Sequence, residues 1–551
     1  MTRCRICAGE LGLKVPGSDA APSADALSPS AHAVGGHADL FECRECGTVQ
    51  QDPGRAPLRD LYRDMRDDAY LDEEAGRRAT ANRLLDLIGA HVPDGRLLDI
   101  GCGYGLLLDE ARTRGYVTLG LELSRAAAGH ARDALGLDVR EVPLETFAAS
   151  RNGGAPGTFD AIVLADVLEH LDDPVAALDG CAALLTPGGV LCVVTPDPSS
   201  ATARLAGARW WGYLPGHTVL LPRRTLRELI AARGLVISAD VPFVRTFAAR
   251  RWVGGLAERS GRLRRPLGGV AEHLPPVNLS LSLGDERVIL AHRTPVDHPV
   301  EPLLHGGDGV HVVLPAYKAV RTIPDVVREM PADAAGHALL VDDASPDATA
   351  NVAVHHGLDV LRHPVNRGYG ATQKTGYVRA LRDGAQVVVM VHADNQYDPG
   401  LVAEMAAPIL AGEADLVIGS RLLDDHAIAG GMPRWKWFGN RLLTGIENRA
   451  FGVRFSEYHT GYRAFSADLL RSIPFLRNSD DFVFDQEIFA QVLARGARVR
   501  EIAIPTRYFH EASSVGVRTS LRYAFKTLWV LARFRLDRRW ALLRRPAAWI
   551  G

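Results

Sequence analysis

The chain twice repeats one order of signals: an apolar run, an abrupt glycine-rich or acidic turn, then a helical segment. That order specifies an α/β protein, in which ligands collect beyond the carboxyl ends of parallel strands. The sharpest instance is Val387-Val-Val-Met-Val-His-Ala-Asp-Asn-Gln-Tyr-Asp-Pro399. It opens with five apolar residues, four of them β-branched, and reads as a buried parallel strand. Pro399-Gly400 closes the turn. Alternate spacing on an extended segment places His392, Asp394 and Gln396 on one side. Oxygen and imidazole ligands in that arrangement suit a divalent ion that also holds a diphosphate. The plain alternative is a strand with a polar turn, and the neighbouring motifs choose between them.

A length of 551 residues predicts about three or four domains. Hydrophobic and charged contents of 47% and 23% are those of a globular protein. A formal net charge of −2 gives no argument for a nucleic-acid partner. Neither a secretory signal nor an apolar run of the roughly 18 residues a membrane helix needs is found, so the expectation is cytoplasmic. The cysteines are Cys4, Cys7, Cys43, Cys46, Cys102, Cys181 and Cys192. Four form Cys-x-x-Cys pairs and the others are isolated in apolar segments. Metal binding plus buried thiols in a reducing compartment fits this better than a disulfide framework.

Residues 1–60 hold Cys4-Arg-Ile-Cys7 and Cys43-Arg-Glu-Cys46-Gly47. Two such knuckles close a tetrahedral structural Zn²⁺ site, and Gly47 eases the backbone around the metal. A vestigial or redox pair is the alternative. The run from Pro16 to Ala38 reads as a flexible insert. A unit this small cannot bury a core of its own, so the metal would supply its folding energy.

Residues 61–295 carry a second constellation. Leu97-Leu-Asp99-Ile-Gly101-Cys-Gly103-Tyr-Gly105 is a strand entering a glycine-rich turn, where backbone approaches a ligand closely. Tyr116 to Glu122 is a second strand ending in an acid, placed to accept from ribose hydroxyls. Phe159 to Leu164 is a third, followed by Ala165-Asp-Val-Leu-Glu169-His170-Leu-Asp-Asp-Pro174. A helix ending at Leu185 leads to Thr186-Pro-Gly-Gly189 and the strand Val190 to Val194. Asn278 to His292 reads as a strand pair closing the domain, after a basic, Gly-rich segment from Phe243 to Pro276.

These marks resemble the class I S-adenosylmethionine-dependent methyltransferases, over roughly residues 75–240. The resemblance implies a Rossmann-like fold with S-adenosylmethionine in the crevice. It puts Asp99, Gly101 and Gly103 under the methionine part and Glu122 on the ribose. A two-knuckle zinc unit ahead of such a domain is similar to sugar C-methyltransferases, which points to a sugar-containing methyl acceptor. His170, and His217 in the aromatic loop Trp210-Trp-Gly-Tyr-Leu-Pro-Gly-His217, are candidate bases. A purely structural role is the alternative for each.

After a linker at 296–308, residues 309–515 repeat the strand-loop-helix order. Val310 to Tyr317 is an apolar strand ending in Pro315-Ala316-Tyr317. Ala338 to Asp342 is a strand ending in Asp342-Asp343, placed to accept the N–H donors of a nucleobase. Asn366-Arg-Gly368-Tyr-Gly370-Ala-Thr-Gln-Lys374 is a glycine-rich loop entering a helix with one cation, suited to phosphate. Leu416-Val-Ile-Gly-Ser420-Arg421 is a strand ending in another cation.

This succession, with Thr460-Gly-Tyr-Arg463-Ala-Phe465 and Phe484-Asp485-Gln-Glu487, resembles family-2 glycosyltransferases of the GT-A fold. It is similar above all to polyprenyl-phosphate sugar synthases of the dolichol-phosphate-mannose-synthase type. The resemblance implies that Pro315, Ala316, Asp342 and Asp343 hold the nucleoside. Asp394 and Gln396 would hold Mg²⁺ or Mn²⁺ with the diphosphate, and Arg421 and Arg463 would face phosphate. The chain departs from the family at two points. His392 stands where an acid is usual, and an imidazole ligates a metal without adding charge. Lys318-Ala319 stands where Asn-Glu is usual. For the inverting transfer Glu457 is the first candidate base, and Asp485 and Glu487 follow.

Residues 516–551 interleave arginines with aromatics, and Leu521, Phe525, Leu528 and Leu531 recur at helical spacing. This predicts an amphipathic helix on an anionic membrane surface, or a helix packed on the preceding domain or on another copy. The whole chain reads as a bifunctional enzyme that moves methyl from S-adenosylmethionine and a sugar from a nucleotide sugar. Polyprenyl phosphate is one candidate sugar acceptor, and the sequence leaves the acceptor open. The alternative is an active methyltransferase fused to a degenerate, ligand-binding glycosyltransferase domain.

Overall fold

A computed structural model describes residues 3–17, 23–24, 27–28, 37–52, 58–67, 69–151, 158–253, 277–293, 309–335, 337–423, 434–505 and 517–536. The expected linker, parts of the insert after Pro16 and residues 254–276 lie outside the described residues. The chain divides into two compact units, Met1–Arg293 and Thr294–Gly551.

The first unit is built on a seven-stranded sheet. Gly95–Ile100 lies parallel between Tyr116–Leu121 and Phe159–Ala165. Val139–Arg140 extends the sheet on the far side of Tyr116–Leu121. On the other side Leu185–Pro196 follows Phe159–Ala165 in parallel. Strand order therefore reverses at Gly95–Ile100, and a crevice opens beyond its carboxyl end. Leu97, Val163, Val190 and Cys192 share a buried core with Leu84, Leu85 and Ile88 of the helix Glu74–Gly89. Side-chain caps fix two helix starts, Ser124 accepting from Ala127 N and Asp173 accepting from Ala176 N.

The expected closing pair at 278–292 does not form. Asn278–Leu281 pairs instead with Arg245–Ala248 in a separate ribbon. Glu286–Arg293 enters the main sheet antiparallel, between Leu185–Pro196 and Leu235–Pro242. Hydrophobicity decides this: Val288 to Ala291 are buried, whereas all of Asn278–Leu281 is exposed.

The cysteine-bearing segment is not a free-standing module. Its strands Leu11–Val15, Leu40–Cys43 and Val49–Gln51 are completed by Val219–Leu220 from the larger body. Val15, Leu40 and Val49 pack with Trp210, Tyr213 and Leu220. Gln51 Nε2 donates to the carbonyls of Pro215 and His217 at 2.9 and 3.0 Å.

The second unit has its own seven-stranded sheet. Val310–Ala316 lies parallel to Ala338–Asp342 on one side and to Val387–Met390 on the other. Order again reverses at the first strand. Val387–Met390 is parallel on one edge only, because Arg463–Ser466 runs antiparallel on its other edge. Beyond that lie Leu416–Ser420 and Val499–Ala503. The helix Val517–Leu536 packs on the helices Arg434–Phe451 and Phe484–Arg495. Thr527, Val530, Leu531 and Phe534 are buried, and Phe534 meets Phe451 edge-on at 4.9 Å. Residues 537–551 of the basic tail lie outside the described residues.

Candidate active sites

In the first unit the crevice is a cavity of about 530 Å³. The turn after Gly95–Ile100 is possible because Gly101, Gly103 and Gly105 take φ of 71°, 53° and 84°, where a β-carbon is strained. A β-carbon at Gly101 would also meet Val167 Cγ2 at 2.5 Å. Glu122 stabilises this turn, accepting from Gly103 N at 2.8 Å and Ser124 N at 2.7 Å. Gly101, Gly103 and Glu122 line the cavity, and Asp99 is 4% exposed. Burial and the neighbouring Glu122 push Asp99 up to about 8, and burial raises Glu122 as well. Two desolvated carboxylates beneath a glycine turn fit a ligand that brings positive charge and hydroxyl donors. Tyr70 stacks on Tyr104 at 4.7 Å, with the Arg77 guanidinium 3.7 Å over its ring.

His170 and His217 line the same cavity and meet edge-on at 4.7 Å. His170 Nδ1 lies 3.0 Å from Gly216 O and 2.7 Å from Tyr62 Oη. His217 Nδ1 donates to Gly212 O at 2.7 Å. Burial lowers both rings, His217 well below the ordinary range with His170 adding to the effect. They are therefore neutral at pH 7, and His217 is a weak proton acceptor. Glu169, on the same turn as His170, is pushed well above its ordinary value by burial and by Asp166.

The four N-terminal cysteines converge. Cys4 Sγ lies 3.6 Å from Cys46 Sγ, and Cys7 Sγ lies 3.5 Å from Cys43 Sγ. All four thiols are free and mutually close. Gly47 takes φ 73° as the chain leaves the second knuckle. This donor set fits a tetrahedral thiophilic ion.

In the second unit the segment after Val387–Met390 does not stay extended. Asn395 takes φ 57°, and Asp394 Oδ1 accepts from Gln396 N at 3.1 Å. The alternation expected for His392, Asp394 and Gln396 is replaced by a turn. His392 Nε2 lies 2.9 Å from Tyr369 Oη, and His392 Nδ1 lies 3.9 Å from Asp394 Oδ2. The ring is packed so closely on Gly461 that a β-carbon there would overlap it. Burial alone would raise Asp394, but the His392 ring and the Gln396 N–H hold it below the usual carboxylate range. Beside it, Asn395 Oδ1 is a buried acceptor without a hydrogen-bond partner. Asp394 and Asn395 thus fit a hard cation better than the alternating triad does.

The paired acids at the end of Ala338–Asp342 differ. Asp343 accepts from Arg367 N at 2.9 Å, Gly368 N at 2.7 Å and His363 Nδ1 at 2.8 Å. Its carboxylate ties down the glycine-rich loop, in which Gly368 takes φ 104°. Asp342 accepts from Ser345 N at 3.2 Å and pairs with Arg362 at 3.2 Å. Pro315 and Ala316 lie beside them, with Ala316 O accepting from Asp343 N at 2.9 Å. Lys374, the loop's expected phosphate cation, instead bonds Asn478 O and Asp480, and burial lowers it.

The expected phosphate-facing arginines are held by carboxylates. Arg421 pairs with Glu457 and donates to it from both the backbone N–H and the guanidinium. Asn440 Nδ2 adds a bond to Glu457 at 2.8 Å. Arg463 is 1% exposed and pairs with Asp485 at 3.2 Å. Asp485 in turn accepts from Gln373 at 3.1 Å and from Tyr369 Oη at 3.3 Å. Tyr369 therefore joins His392 to Asp485, a link that sequence spacing alone does not reveal.

Residues 71–239 match the family model described as a methyltransferase domain, and residues 311–473 match that of glycosyl transferase family 2. The chain thus joins a region matching a methyltransferase domain to a region matching glycosyl transferase family 2. An uncharacterised protein of Methanocaldococcus jannaschii is 30% identical over 224 residues, 41% of this chain and 91% of the relative. A ubiquinone biosynthesis O-methyltransferase of Xanthomonas campestris is 40% identical over 129 residues. That match spans 22% of this chain and 52% of the relative, so the chain covers about half of that enzyme's length. Glucosyl-3-phosphoglycerate synthase of Mycobacterium tuberculosis, solved with uridine diphosphate, is 18% identical with a TM-score of 0.33. The alignment covers 40% of this chain and 78% of that one.

The methyltransferase domain carries the cavity and its glycine turn, and the glycosyltransferase domain carries the Asp394 turn and the Tyr369 network. Three residues of these sites were missed from sequence: Tyr62, Tyr369 and Asn395. Tyr62 reaches His170 across 108 positions, beyond any local pattern. Asn395 had a usable signal, since Asn tolerates the left-handed turn conformation better than most residues.

Proposed function

We propose that the chain is a bifunctional transferase. Its first unit moves methyl from S-adenosylmethionine to a sugar or sugar-containing acceptor. Its second unit moves a sugar from a nucleotide sugar, with inversion, to an acceptor such as polyprenyl phosphate. The observation that carries this reading is architectural: each unit has its own order-reversing sheet, with glycine turns and buried acids at the carboxyl edge of its central strands. In the first unit Gly101 and Gly103 would admit the cofactor's backbone-close portion, with Asp99 beneath and Glu122 toward the ribose. S-adenosylmethionine, when bound, supplies the methyl group on a cationic sulfur. His170 and His217 would orient the acceptor, and Cys4, Cys7, Cys43 and Cys46 would hold a structural Zn²⁺.

In the second unit Pro315, Ala316 and Asp342 would border the nucleoside. Asp394, with Asn395 and Gln396, would hold the Mg²⁺ or Mn²⁺ that offsets diphosphate charge. Glu457 and Asp485 are the acids nearest the cations Arg421 and Arg463. Asp485 is the better candidate for contacting the acceptor, because Glu457 is fully buried against Arg421. Membrane apposition is supported by the outward face of Val517–Leu536, where Phe525 and Trp529 are 74% and 67% exposed.

The test is thermal-shift titration of the full chain with UDP- and GDP-sugars, with and without Mn²⁺, and separately with S-adenosylhomocysteine. A ligand of the native state raises its apparent stability. Metal-dependent stabilisation by one nucleotide sugar, together with stabilisation by S-adenosylhomocysteine, is the expected result. Stabilisation by S-adenosylhomocysteine alone would leave the second unit as a degenerate binding domain.

A further inference from the structure

We infer that Glu169, His170 and His217 form a divalent-cation site on the wall of the methyltransferase cavity. The cation is of the first transition row, and it takes an oxygen of the methyl acceptor as a further ligand. One nitrogen of each ring and one carboxylate oxygen lie within 4.8 Å of one another. Both rings are held by the backbone. Each Nδ1 faces a backbone carbonyl, Gly216 O at 3.0 Å and Gly212 O at 2.7 Å. A carbonyl only accepts, so His217 carries its hydrogen on Nδ1 and keeps the Nε2 lone pair for a metal. His170 Nδ1 also meets Tyr62 Oη at 2.7 Å, a hydroxyl that can donate or accept, so either nitrogen of that ring can offer the lone pair. The approach of Gly216 to His170 depends on glycine, since a β-carbon there would lie 3.1 Å from the ring nitrogen.

The carboxylate supplies the second, independent observation. Glu169 is 1% exposed. Its Oε2 accepts from Thr195 Oγ1 at 3.0 Å, but its Oε1 is buried with no hydrogen-bond partner. An orphaned buried carboxylate oxygen costs free energy unless a ligand meets it. The nearby cation does not serve it: Arg245 pairs with Asp166 and Glu286 at 2.6 and 2.5 Å.

Two imidazoles and one carboxylate suit Zn²⁺, Fe²⁺ or Co²⁺ better than Mg²⁺ or Ca²⁺. Three protein ligands keep a coordination position open. All three residues line the cavity, so an incoming acceptor meets that position through a hydroxyl or carbonyl oxygen. A bound cation lowers the pKa of a coordinated hydroxyl. The inference rests on reading this cavity as the methyl-transfer site.

The experiment uses the full chain, zinc-loaded at its four cysteines and carrying Asp394→Asn to weaken the ion site of the other unit. Co²⁺ binding is followed by equilibrium dialysis and visible absorption. The expected result is a single Co²⁺ site whose weak bands lack thiolate charge transfer. Glu169→Gln and His217→Ala should each weaken it by at least about tenfold. No bound Co²⁺, or affinity unchanged in folded variants, overturns the inference. Stabilisation by S-adenosylhomocysteine reports folding, and Glu169→Gln, which keeps the side chain's shape, decides the matter if His217→Ala fails that check. A parent protein that binds Co²⁺ but is not stabilised by S-adenosylhomocysteine would instead overturn the methyl-transfer reading.

Discussion

At the scale of single residues, burial decides more than residue type. Asp99 and Glu457 are both acids at strand ends or turns, yet their surroundings give them opposite demands. Burial, with Glu122 nearby, pushes Asp99 up to about 8 against an ordinary 3.8. The native state then keeps a proton that the unfolded chain releases. Its contribution to stability is complete below about pH 4 and is lost as pH rises through 8. Asp99→Asn should flatten that fall, so melting temperature followed from pH 5 to 9 will drop less in the variant than in the parent. Glu457 instead meets Arg421, and their side chains are 0% and 11% exposed. Removing one partner of a buried pair costs roughly 3 kcal/mol or more. Glu457→Gln should therefore lower denaturant stability by about that much. Retained stability with abolished sugar transfer would instead assign Glu457 to the chemistry.

At the scale of elements, the two knuckles illustrate how a small unit is held. Their sheet borrows Val219–Leu220, and Thr225 Oγ1 donates to Cys46 O at 2.7 Å. The helix Arg223–Ala232 and the aromatic loop before it are thus tied to the cysteine cluster. Cys46→Ser, or removal of the metal by a chelator, should release one zinc ion from each chain, measured by metal analysis. It should also loosen the 210–220 loop, whose amides would exchange hydrogen faster. The same loop carries His217, so the loss would extend to acceptor binding. The glycine-rich loop at 366–368 is held in a comparable way, by Asp343 rather than by a metal. That explains why an acid predicted to face a nucleobase faces backbone N–H groups instead.

At the scale of the whole molecule, each unit has its own seven-stranded sheet. The C-terminal helix Val517–Leu536 has two unlike faces. Its buried face, Val530, Leu531 and Phe534, belongs to the fold. Its opposite face exposes Phe525, Leu528 and Trp529, and Phe438 and Leu442 of the helix Arg434–Phe451 are exposed as well. No helix among the described residues is long and apolar enough to cross a membrane. Replacing Phe525 and Trp529 by Ser should reduce sedimentation with anionic vesicles several-fold without shifting the melting temperature. Unchanged sedimentation would leave the exposed face as a contact for protein.

The sequence by itself determined the two α/β units, their glycine turns and the cysteine pairs. These follow from local chemistry: β-branched runs, glycines at positive φ, and thiols at ligand spacing. The tertiary structure decided which polar groups are already engaged. Lys374, Arg421, Arg463 and Asp343 carry the expected charge, but each is met by a group far away in sequence. It also decided that Asn278–Leu281 leaves the sheet while Glu286–Arg293 enters it, because buried area ranks strands that local propensity leaves equal. The meeting of Glu169, His170 and His217 was legible only in part. Glu169 and His170 are chain neighbours, but His217 joins them only because its loop is drawn in by the cysteine-bearing sheet.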